Sequence, residues 1–181
     1  MSFFSEPQNI EVIDLEAFCS FSSEGSKFQN LKLITSNSQL KSDVFVQYPK
    51  HGSRNLHRDI SINADLQNSF LGLKDFQFFV PSFPSSETIF IDQLNFSGSP
   101  TEYSLDSIRI FYEESSFLGS FTLNSLMDSS KLSIQELSIN PKDIYTLFPN
   151  IDKSSIDLLK RFENTNISGT LSSQSVNHKL D

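Results

Sequence analysis

Apolar and polar residues alternate along much of this chain with a period of two. Leu31 and Leu33 share one side of a run that ends at Thr35, and in residues 40–48 the even positions are mainly apolar, with Phe45 interrupting the polar side. The pattern returns in residues 60–66, 90–96, 108–112 and 117–123. Runs of this length, rich in β-branched and aromatic residues, predict half-buried strands with one wet face. Ser36-Asn37-Ser38, residues 49–53, Ser97-Gly98-Ser99-Pro100 and Asp128-Ser129-Ser130 stand between them as breakers. Helical signals are few. One turn is expected from Leu73 to its stop at Pro81, and a second after Asn140 as N-cap, with Pro141 at N1 and Pro149 as the stop. Residues 154–162 read as the best helix, capped by Ser154, with Ile156, Leu159 and Phe162 along one side. The fold class is all-β, mainly antiparallel, with two or three short helical turns.

The two turns are one motif written twice. Lys74-Asp75-Phe76-x-x-Phe79-Val80-Pro81 matches Lys142-Asp143-Ile144-x-x-Leu147-Phe148-Pro149 at a constant offset of 68. Phe28-x-x-Leu31-Lys32-Leu33 with Leu40-x-Ser42-x-Val44-x-Val46 matches Leu105-x-x-Ile108-Arg109-Ile110 with Phe117-x-Gly119-x-Phe121-x-Leu123 at an offset of 77. Asn95-Phe96-Ser97-Gly98 and Asn166-Ile167-Ser168-Gly169 are 71 apart. Correspondences in one order describe a unit used twice and stacked along an axis. The expected organisation is an N-terminal segment with a first strand over 1–27, β units over 28–98 and 99–171, and a truncated tail over 172–181.

Composition narrows the chemistry. The 181 residues carry a net charge of −8, which repels phosphate backbones, so no nucleic-acid partner is expected. Phenylalanine carries far more than its usual share of the apolar side, with 18 copies and no tryptophan. The single cysteine, Cys19, excludes an internal disulfide and a cysteine-based zinc site, and reads as a small buried apolar side chain. His51, His57 and His178 lack metal-ligand spacing. Glu113-Glu114 and the Asp14/Glu16 pair are acidic pairs of the kind glycosidases use, but pairs arise by chance among 22 acidic residues. No nucleophile elbow, P-loop, zinc-protease or dinucleotide motif occurs, and neither catalytic residues nor cofactors are expected. Asn95-Phe96-Ser97 and Asn166-Ile167-Ser168 match the glycosylation sequon. Lys74-Asp75 and Lys142-Asp143 read as solvated turn residues.

From about Phe28 to Leu171 the chain resembles the AsmA-like/TamB (translocation and assembly module) family, in its long Bacteroidetes-type form. Leu31-x-Leu33-x-Thr35-x-x-Ser38-x-Leu40-x-Ser42-Asp43 is similar to that family's paired strands, and Asn68-Ser69-x-Leu71-x-Leu73-x-Asp75-Phe76-x-x-Phe79-Val80-Pro81 to its turn before the next strand. Leu94-x-Phe96-x-Gly98, Leu105-x-x-Ile108-x-Ile110 and Phe117-x-Gly119 continue the order. Ser99-Pro100 departs from the family's Gly-Thr, and Met127 from the proline of its Leu-Pro-Asp turn. The resemblance implies an internal repeat segment forming a long, open, curved β-groove with an apolar inner face. It further implies a non-enzymatic role in the periplasm of a Gram-negative envelope, carrying phospholipid acyl chains between inner and outer membranes. An outer-membrane barrel would be a partner through other parts of such a protein. The expected groove lining is Leu31, Leu33, Val44, Val46, Ile60, Ile62, Leu94, Phe96, Ile108, Ile110, Phe117, Phe121 and Leu123, with Asp92 on the same parity as its worst fit. Periodicity alone fits equally a closed β-sandwich serving as an interaction or structural module, such as an adhesin or virion domain.

Overall fold

The computed structural model describes residues 10–49, 60–77, 86–124, 128–147 and 166–174. Strands β1 (Val12–Phe21), β2 (Gly25–Thr35), β3 (Gln39–Gln47) and β4 (Ser61–Gly72) are followed by a one-turn helix, α1 (Leu73–Phe76). Then come β5 (Thr88–Ser99), β6 (Glu102–Tyr112), β7 (Ser115–Asn124), β8 (Ser129–Ser138), helix α2 (Pro141–Leu147) and β9 (Asn166–Gln174). The expected helix at 154–162, the three histidines, Pro81, Met127 and Pro149 lie outside the described residues.

All nine strands pair with their sequence neighbours, antiparallel, in one open sheet. Eight intervals of about 4.8 Å make it about 38 Å across. It runs without a break across the expected unit limits at 27/28, 98/99 and 171/172. The sandwich alternative would need these strands to divide into two facing layers, and they do not. Ser97 to Ser99, read as a breaker, instead extends β5 against Glu102–Ser104.

Bulges crease the sheet. Asn30, Asn68 and Ser107 sit at φ of 52°, 44° and 52° inside β2, β4 and β6, each where the pairing register shifts or the alternation of faces resets. Gln135 is skipped between Ile134 and Glu136 in β8. A residue inserted this way bends the strand and increases its twist. Each even-numbered strand therefore carries one bend, a device that curves the sheet.

The helical turns are held by carboxylates. Asp75 accepts from the hydroxyls of Thr35 and Ser38 and, at 2.8 Å, from Asn37 Nδ2, while Ser38 Oγ accepts from Gly72 N at 3.0 Å. Asp143 repeats this arrangement, accepting from Ser115 Oγ at 2.7 Å and Glu114 N at 3.1 Å, while Ser115 Oγ accepts from Asn140 N at 2.9 Å. The serine, the backbone donor and the aspartate are offset by 77, 68 and 68 residues. These aspartates are not solvated turn residues: each ties a helical turn to the preceding hairpin, while Lys74 and Lys142 remain exposed. Asn140 caps α2 as expected, its Oδ1 accepting from Lys142 N at 2.9 Å.

Candidate functional site

Face assignment follows from register, because paired residues project to the same side of a sheet. One row runs Cys19, Phe28, Val44, Ala64, Phe96, Leu105, Phe121, Leu132, Leu171, crossing all nine strands. Neighbouring rows pair Leu33 with Leu40, Leu66 with Leu94, Val46 with Ile62, Ile110 with Phe117 and Tyr103 with Leu123. The expected lining residues Leu31, Leu33, Val44, Val46, Ile62, Leu94, Phe96, Ile108, Ile110, Phe117, Phe121 and Leu123 all fall on this face. Ile60 precedes the first residue of β4, so no pairing assigns it.

This face carries no charged side chain in any of the nine described strands. Its gaps are filled by small or hydroxyl residues: Ser26, Ser42, Ser69, Gly98, Gly119, Ser130, Gly169 and Ser173. Asp92 was the expected exception, and the structure removes it. Ile91 pairs with Ile110 and Gln93 with Arg109, so the register slips at position 92. The Asp92 carboxylate sits 3.2 Å from Arg109 on the opposite face. The other strand charges also lie there, among them Asp14 with Lys32 at 3.1 Å, Asp43, Asp65, Asp106 and Lys131.

Burial along the apolar face is partial. Among the described residues, the buried hydrophobics are Leu73, Ile91, Ile108 and Tyr112. Leu73 and Tyr112 meet at Glu87, whose backbone oxygen accepts from Leu73 N at 2.8 Å and whose carboxylate accepts from Tyr112 Oη at 2.6 Å. That bond holds the Glu87 carboxyl below its usual range. Burial first, then Glu87, pushes the Tyr112 hydroxyl upward, so it stays a donor. Ser26, Thr35, Ser69, Ile91, Ile108 and Gly119 on this face are buried as well, and the rest of its described residues are half-buried or open, reaching 39% exposure at Ile62 and 63% at Leu171. The aromatic rings partly cover the glycines: a Cβ on Gly98 would stand 2.8 Å from the Phe96 ring, and one on Gly119 2.8 Å from that of Phe117.

Two clefts, of about 460 and 390 Å³, open on the polar face instead. The larger is lined by Lys27, Asp43, Phe45, Asn63, Asp65 and Asn95, with the backbone of the apolar row as its floor. The inner, hollowed side was expected to be apolar; at these strands the hollows are polar. Among the described residues, no group of three or more His, Cys, Asp and Glu is placed to hold a metal.

Other expectations change with the tertiary setting. Cys19 is exposed, because β1 is an edge strand with one neighbour. Glu114 lies in the β6–β7 turn, where its carboxylate accepts from Asn140 Nδ2. Asn95 of the first sequon is in mid-strand, its Oδ1 buried and without a partner. Phe28, Ala64, Leu66, Leu105, Leu132 and Leu171 belong to the apolar face and were not among the expected lining. The 77-residue offset had already matched Phe28 to Leu105, and that was the available signal. No family model matches the chain, and no curated protein or solved structure matches it.

Proposed function

We propose that this chain is a non-enzymatic segment of an envelope lipid-transfer protein of the AsmA-like/TamB kind, shielding phospholipid acyl chains against its apolar sheet face. One observation carries the reading: a charge-free apolar row continues through nine paired strands, and no second layer of strands packs on it among the described residues. A soluble monomer rarely leaves such a surface unfilled. Acyl chains laid along the row, across the strands, would gain about 0.8 kcal/mol for each methylene removed from water. A continuous wall therefore contributes more than any one residue, and a single charge in its path would cost several methylenes. The polar clefts on the opposite face take no part in this.

The test is lipid occupancy. Mass spectrometry of protein extracted into organic solvent is expected to find co-purified phospholipid, and a fluorescent fatty-acid probe is expected to bind. Val44→Asp and Ile110→Asp should abolish occupancy while circular dichroism still reports the sheet. Lipid-free wild-type protein that ignores the probe overturns the proposal, as do variants that unfold outright, since that is the behaviour of a sealed core.

A further inference from the structure

We draw no further inference here: the strongest candidate, the row of Asp43, Asp65, Asn95 and Asp106 across β3 to β6 in the larger polar cleft, is an acidic cluster whose two donorless oxygens, Asp65 Oδ1 and Asn95 Oδ1, belong to directly paired residues and would be satisfied by a turn of the Asn95 amide, so no independent observation points to a ligand.

Discussion

Asp75 shows how much one side chain can organise. Burial pushes its carboxyl upward, but hydrogen bonds from Ser38, Thr35 and Asn37, with Lys74 nearby, outweigh that and hold it below its usual value of 3.8. A carboxyl depressed on folding stabilises the protein above its unfolded pKa, and that contribution fades as pH falls through the folded value. Asp75→Asn should therefore cost about 1–3 kcal/mol at neutral pH and flatten the loss of stability below about pH 4, measured as urea midpoints across a pH series. Gly72 is a second such point. A Cβ there would stand 2.5 Å from the Asn37 carbonyl oxygen, with no flexible side chain to yield. Gly72→Ala is expected to destabilise by about 1–3 kcal/mol, read from thermal melts. The doublet Lys-Asp was visible in the sequence, but its role was not, because the hydroxyls that clamp Asp75 lie 37 to 40 residues upstream.

At the scale of elements, the bulges explain where the alternating pattern appeared to begin and end. The run read from Leu31 starts just after Asn30, the one from Ile108 just after Ser107, and the one closing at Leu66 stops just before Asn68. Inserting one residue flips the parity, so a strand of eleven or twelve residues reads as a shorter one. A first strand was expected within residues 1–27 without bounds, and β1 fills it; the first half of β6 escaped notice for the same reason as the shortened runs. Positive φ at these sites suits Asn far better than a β-branched residue. Asn30→Val should cost about 1–2 kcal/mol and loosen the 2.7 Å hydrogen bond that Asn30 N donates to the Asp43 carboxylate, a change visible in hydrogen exchange across β2 and β3.

For the whole molecule, the question is what an unlayered sheet does to its own energetics. In a closed core, truncating a phenylalanine to alanine costs about 3–5 kcal/mol. Phe121 is half-buried on the apolar face, so Phe121→Ala should cost about 1–2 kcal/mol, less than half the closed-core value, read from urea midpoints; under the proposed function it should also lose acyl-probe binding in a parallel titration. The sequence by itself determined the strand-rich class, the two helical turns with the Asn140 cap of the second, and the polarity of the two faces, because side-chain alternation and capping act over a few residues. Only the tertiary structure decided that nine strands form one sheet, that Asp92 turns to the far face, that Cys19 lies open on an edge and that the two clefts lined by described residues are polar. Those outcomes depend on register between distant segments, where one inserted residue exchanges inside for outside.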